Sequence, residues 1–155
     1  LTLSRRYLTL AAGAASAATL LGAFYVQYVL GFLPCHLCLL QRWPHAVLIV
    51  LAALAFAVPG RLLPLAAAAT ALVGAGIALY HSGVERKFWA GPTDCTGGQN
   101  LSGLSGADLL DFSTPSPIIR CDEVGLQVLG LSLANINLIL CLGLVWLWIA
   151  IARRG

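Results

Sequence analysis

The chain of 155 residues is 59% hydrophobic and only 10% charged, with nine Lys and Arg, six Asp and Glu and a formal net charge of +3. An average soluble domain carries roughly 25% charged residues, so these few cannot coat a water-soluble globule. The same figures exclude a disordered chain, which would be polar and strongly charged, and a nucleic-acid binder, which needs a dense basic stripe. An integral membrane protein remains.

Charges divide the sequence into apolar blocks. No Asp, Glu, Lys or Arg lies between Arg6 and Arg42, and Pro59-Gly60 closes the block that follows. The predicted spans are residues 8–30, 43–59, 62–81 and 128–151. Each approaches the roughly 20 apolar residues that cross a bilayer, and lipid obliges such spans to be helical. The expected fold class is all-α integral membrane: a four-helix transmembrane bundle forming a single membrane domain over residues 1–155, with outer loops 31–41 and 82–125. With both termini cytoplasmic, Arg5, Arg6, Arg61, Arg153 and Arg154 lie inside, while Arg42, Arg86, Lys87 and Arg120 lie outside. The outer cations sit at a helix start or in the long loop, where charge weighs little on topology. All six acids are read into that long loop.

Ser4-Arg5-Arg6-Tyr7-Leu8 before an Ala-rich stretch is similar to a twin-arginine export signal. The apolar run continues through Val26 and Val29, beyond a signal's core of roughly 7 to 15 residues, so an uncleaved span is expected. Trp146, Trp148, Tyr25, Tyr28 and Trp43 suit interfacial belts. The run Ala11 to Ala18 and the pair Gly74 and Gly76 would allow close helix packing. Asn135 and Asn137 are expected to hydrogen-bond within the bundle. In the long loop, Ser105-Gly-Ala-Asp108 reads as a capping box opening a short helix.

The chemistry rests on cysteine. Four of the five, Cys35, Cys38, Cys95 and Cys121, map to the outer side, and Cys141 lies inside the fourth span as a small apolar packing residue. An even set in an oxidising compartment suggests two redox pairs. Spacing joins Cys35 to Cys38, which leaves Cys95 and Cys121 for each other. Cys38 falls at or just before the start of the second helix, where the helix N-terminus favours a thiolate. Arg42, one turn on, adds a fixed positive charge. A depressed Cys38 pKa is therefore expected. His81 closes the third span at the same level, either as an interfacial hydrogen-bonding residue or as a group that donates to a carbonyl or moves protons. Two other uses of the cysteines stand beside this: half of a zinc site completed by His36 or the loop cysteines, or two inert structural disulfides. Haem attachment is excluded, because Leu39 and not His follows Cys38.

Pro34-Cys35-x-Leu37-Cys38-x-x-Gln41-Arg42, Tyr80-His81-Ser-Gly-Val-Glu85, Cys121-Asp-Glu123 and Leu129-Gly-Leu-Ser132, set on four spans, resemble the disulfide-bond formation protein B (DsbB) family. The resemblance covers essentially the whole chain. It implies a quinone-dependent protein-disulfide oxidoreductase of the bacterial inner membrane, with the long loop and the active cysteines on the periplasmic side. Its partner would be a periplasmic DsbA-like thioredoxin-fold oxidase, its cofactor ubiquinone or menaquinone, and no metal is expected. Carried over, Cys95 is attacked by the partner's thiolate and Cys121 resolves that disulfide. Cys35 receives the electrons, Cys38 faces the quinone ring, and Arg42 and His81 belong to the quinone pocket. His36, and Asp94 and Asp122 flanking the loop cysteines, depart from that pattern and leave the relative potentials open.

Two alternatives share parts of these observations. A vitamin K epoxide reductase-like enzyme uses the same cysteine logic, but carries its Cys-x-x-Cys late in the chain. A non-enzymatic channel or assembly subunit predicts polar side chains along the helix interiors, which the spans lack apart from Asn135 and Asn137.

Overall fold

The computed structural model describes residues 4–92, 121–122 and 124–154. Four helices, α1 Arg5–Tyr28, α2 His36–Ala57, α3 Leu62–Glu85 and α4 Leu133–Ala152, are all long and apolar enough to cross a membrane. The protein is a multi-pass membrane protein, and its described part is a four-helix bundle.

Helix ends follow local chemistry more closely than they follow the charges. α2 starts at His36, close to the helix start expected near Cys38 and ahead of the apolar span drawn from residue 43. Pro34 precedes an extended Cys35 (φ −72°, ψ 170°), whose sulfur accepts the Cys38 N–H at 3.3 Å and caps the helix. Arg42 therefore lies inside α2, held there by a 2.6 Å hydrogen bond to Gln27 Oε1 and by stacking over Phe24 at 5.0 Å. Pro44 sits in the same helix, where its ring denies the Leu40 carbonyl a donor.

α3 runs on to Glu85, past the predicted end at 81, and closes in a Schellman motif. Phe88 N–H donates to Gly83 O at 2.9 Å and Lys87 N–H to Val84 O at 3.0 Å, with Lys87 at φ +60°. Before α4 a hairpin pairs β1 Gln127–Val128 with β2 Leu131–Ser132. Its turn residues, Leu129 and Gly130, both have positive φ, the primed geometry that suits strand twist. This hairpin takes up the stretch that hydropathy had assigned to the start of the last span.

Small side chains set the packing. The core joins Ala12, Leu48, Ala52, Ala55, Ala67, Ala71, Leu144, Trp148 and Ile151. A Cβ on Gly13 would meet Ala52 Cβ at 2.9 Å, and one on Gly74 would meet Pro44 and Cys141 at 3.2 Å, so the backbones approach closely at both places. Gly76 has nothing within 4 Å and takes no part in such packing. Of the two belt tryptophans on α4, Trp146 faces outward and Trp148 is fully buried core.

Arginine-to-carbonyl bonds tie one end of the bundle together: Arg5 to Gly60 O and Arg61 to Ala152 O, both at 3.0 Å. The opposite end therefore gathers the last turns of α1 and α3 and the first turns of α2 and α4. The site lies there.

Candidate active site at one end of the bundle

Cys35 and Cys38 face each other across the first turn of α2, with sulfurs 2.9 Å apart and both thiols free. Cys35 donates its S–H and Cys38 accepts it. That hydrogen bond, with burial second, holds the Cys35 thiol well above the ordinary cysteine range. The proton of the pair thus belongs to Cys35, and negative charge falls on Cys38. Cys121, fully buried and disulfide-bonded, packs in the same small cluster as Cys35, Leu37 and Val84. Cys95 lies outside the described residues, as do Ser105 and Asp108.

A line of buried hydrogen bonds runs inward from the dithiol. His81 Nε2 lies 3.6 Å from Cys35 Sγ and 3.8 Å from Glu85 Oε1. His81 Nδ1 takes a 2.7 Å bond from Gln41 Nε2, and Gln41 Oε1 takes one of 2.6 Å from Asn137 Nδ2. Asn137 Oδ1 meets His45 Nε2 at 2.8 Å and the Cys141 thiol at 3.7 Å. Glu85 also accepts from Ser132 Oγ, which caps α4 by taking the Asn135 N–H at 3.2 Å.

Beside this line lies a cavity of about 530 Å³ between α1 and α4. Leu20, Ala23, Val26, Phe32, Leu133, Ile136 and Leu140 give it apolar walls. Cys35, Cys38, Gln41, Arg42, His45, His81, Glu85 and Asn137 supply its polar groups. That volume is ordinary for a small-molecule site, as is the pattern of few polar groups on apolar walls.

The same cluster bears on metal binding. Cys35, Cys38 and His81 bring three donor atoms within 4.8 Å of one another, a set that zinc accepts. The sulfurs, at 2.9 Å, are closer than the roughly 3.8 Å that two 2.3 Å zinc–sulfur bonds impose in a tetrahedron. His36, the ligand considered from sequence, is exposed; the third donor is His81.

The structure thus unites Cys35, Cys38, Arg42 and His81, with Cys121 against them. Sequence reasoning missed His45, Gln41 and Glu85 as site residues; it expected Asn137 to hydrogen-bond within the bundle, as it does, but gave it no part in the site. The expectation that the spans lack other polar groups is corrected by buried Gln41 and His45, with Thr9 and Ser16 on α1. A histidine in an otherwise apolar span was the available signal. Glu85, read as a loop acid, is the last residue of α3.

Four spans carrying a dithiol at the mouth of an apolar cavity define a membrane thiol–disulfide oxidoreductase. A family model described as "Disulfide bond formation protein DsbB" matches residues 5–151, and the chain belongs to that family. It is 32% identical to Disulfide bond formation protein B of Verminephrobacter eiseniae, over 91% of this chain and 82% of that one. It is 46% identical to Disulfide bond formation protein B 1 of Pseudomonas entomophila over 37% of this chain and 33% of that one. An uncharacterized protein of Rickettsia prowazekii is 26% identical over 76% of this chain and 70% of its own. No solved structure matches the chain.

Proposed function

We propose that the protein reoxidises a DsbA-like thioredoxin-fold oxidase in the periplasm and delivers the electrons to a quinone of the inner membrane. The observation that carries this reading is the placement of a reactive dithiol at the mouth of an apolar cavity that opens within the spans. A soluble acceptor would need no such cavity. The polar groups suit a quinone head: Arg42 beside Cys38 at one side and His81 behind the dithiol, with room along α1 and α4 for an apolar tail. A bound quinone supplies a two-electron, two-proton sink.

The chain's residues do the rest. The partner's thiolate attacks the Cys95–Cys121 disulfide, forming a mixed disulfide at Cys95 and freeing Cys121. Cys121 packs against Cys35 and attacks the Cys35–Cys38 disulfide there, so Cys38 leaves as the thiolate. Arg42 offsets its charge. The partner's second thiolate then closes the partner's own disulfide and releases Cys95, whose thiolate attacks Cys121, restoring Cys95–Cys121 and freeing Cys35 to share a proton with Cys38. That proton departs towards His81 when Cys35 and Cys38 close their disulfide again. Electrons leave from Cys38, which lines the cavity together with Arg42.

The test uses purified protein in detergent with ubiquinone, or menaquinone in parallel, and a reduced thioredoxin-fold partner. Quinone absorbance should fall in proportion to partner thiols, and Cys38→Ser or Cys95→Ser should each abolish the loss. Turnover with neither quinone, or turnover that survives both substitutions, would overturn the proposal.

A further inference from the structure

The line of buried bonds ends deep in the membrane at His45, which no step above uses. Three observations set it apart. His45 is 2% exposed and lines the cavity. It shares a stripe of α2 with Cys38 and Gln41, and lies about 10 Å further along the axis at about 1.5 Å per residue. Its Nε2 is bonded to Asn137, whereas its buried Nδ1 has no hydrogen-bond partner among the described residues.

A histidine serving only as glue between α2 and α4 would explain one nitrogen. An unmet ring nitrogen in hydrocarbon is costly, and intramembrane titratable groups that line a cavity mark function.

We infer that His45 is the second polar pole of the quinone site and hydrogen-bonds the carbonyl oxygen remote from Cys38. The inference rests on the quinone reading. Closing the disulfide from the Cys35 thiol and the Cys38 thiolate releases two electrons and one proton; reduction of the quinone to hydroquinone takes up both electrons, that proton and a second one given up by the partner's dithiol on its oxidation, with one O–H formed at each end of the ring. Arg42 and His81 serve the near oxygen. The remote oxygen needs a partner further down the cavity, and His45 is the titratable lining residue deepest along α2.

The amides Gln41 and Asn137 make the two histidines complementary. With Gln41 donating to His81 Nδ1 and Asn137 accepting from His45 Nε2, both rings carry their proton on Nε2. Turning both amides over keeps the three hydrogen bonds that join His81, Gln41, Asn137 and His45, at the cost of the Gln41 bond to the Leu37 carbonyl and of the Cys141 thiol's bond to Asn137. Asn137 then donates to His45 Nε2, which puts the proton on Nδ1, the nitrogen with no hydrogen-bond partner among the described residues and so the one left to donate to a ligand oxygen. At the other end His81 Nδ1–H donates to Gln41, leaving Nε2 as a base 3.6 Å from the Cys35 sulfur. A ligand that accepts from His45 therefore selects the His81 tautomer able to take the Cys35 proton.

The test is equilibrium binding of decylubiquinone to the fully oxidised protein, which cannot turn over, followed by calorimetry. One neutral hydrogen bond of about 1.4 kcal/mol is a tenfold change in affinity. His45→Phe should bind about tenfold more weakly. His45→Gln, which can keep the bond to Asn137 and so guards against misfolding, should weaken binding likewise. Infrared spectra of quinone labelled at one carbonyl or the other should show the remote carbonyl's stretch lowered in the wild type and restored in both variants, while the near carbonyl, served by Arg42 and His81, keeps its shift. Undiminished affinity with an unchanged carbonyl stretch in folded His45→Gln would overturn the inference and leave the quinone reading standing. Absence of binding by the wild type would overturn both.

Discussion

Asn137 is the bridge whose removal tests the buried line most directly. Asn137→Leu keeps volume and apolar character but deletes the 2.6 Å bond to Gln41 and the 2.8 Å bond to His45. Gln41 retains its 3.3 Å bond to the Leu37 carbonyl through Nε2, yet its Oε1 loses the Asn137 donor. Hydrogen bonds between membrane helices average about 0.6 kcal/mol in mutant cycles, whereas a newly orphaned buried group costs about 1–3 kcal/mol. Two lost bonds should therefore destabilise the bundle by about 1–3 kcal/mol. Reversible unfolding in mixed detergent and dodecyl sulfate micelles reads this directly. The cycle with Gln41→Leu is the sharper measurement. Both single variants break the same bond, so the double variant should fall short of their sum by about 0.6 kcal/mol or more. Additivity within about 0.3 kcal/mol, with Asn137→Leu as stable as the wild type, would refute the claim that these side chains form one network.

Three further outcomes follow from the site. Arg42→Ala should slow alkylation of Cys38, because it removes the fixed cation; Arg42→Lys should restore only part of the rate, since a lysine cannot reproduce both the Gln27 bond and the stacking on Phe24. Iodoacetamide labelling of the reduced protein, mapped by mass spectrometry across pH, should modify Cys38 before Cys35. Cys35 has its pKa raised by the bond to Cys38 and by burial, so its thiolate forms only at pH above the ordinary cysteine range of about 8.5. Cys38→Ser weakens the first of those causes and should bring Cys35 labelling to lower pH; labelling of Cys35 first in the wild type would contradict the assignment. Gly83→Ala should displace Trp89, whose indole occupies the place of the added Cβ, and break the 2.8 Å bond from Trp89 Nε1 to Tyr80 O. The expected cost is about 1 kcal/mol in detergent unfolding, and unchanged stability would contradict it.

The bundle and the dithiol were legible because hydropathy and cysteine spacing are local signals. Charge was the poorer guide. The helix start near Cys38 was legible, but the apolar span was drawn only from residue 43, because a cation can enter a span when Gln27 and Phe24 receive it, and neither partner is near it in sequence. Glu85 was assigned to solvent for the same reason; Ser132, far along the chain, is what retains it beside His81. His45 and Gln41 escaped notice because each is a single polar residue in an apolar stretch. Their meaning depends on Asn137 of another helix, a pairing that no periodicity encodes. Trp148 shows the converse: an aromatic near a helix end resembles an interfacial anchor until the small residues facing it make room for burial.

The geometry also explains why the Cys-x-x-Cys belongs at the first turn of a spanning helix. Cys35 as N-cap uses its sulfur to satisfy the Cys38 N–H, a helix-end donor that would otherwise be unmet near lipid. Its S–H is then directed at Cys38, and the sulfur bearing the charge is the one inside the first turn, where the helix dipole favours an anion. His81 approaches Cys35 from α3 and is held by Gln41 of α2, so the position of the proton depends on the packing of two helices. Asn137 brings in α4 through the same line. The bonds that make polar residues tolerable in hydrocarbon are thus the bonds that orient the dithiol. Along that line the nitrogen left without a hydrogen-bond partner among the described residues is Nδ1 of His45, a residue that lines the cavity; under the inference above, a ligand oxygen would complete the set.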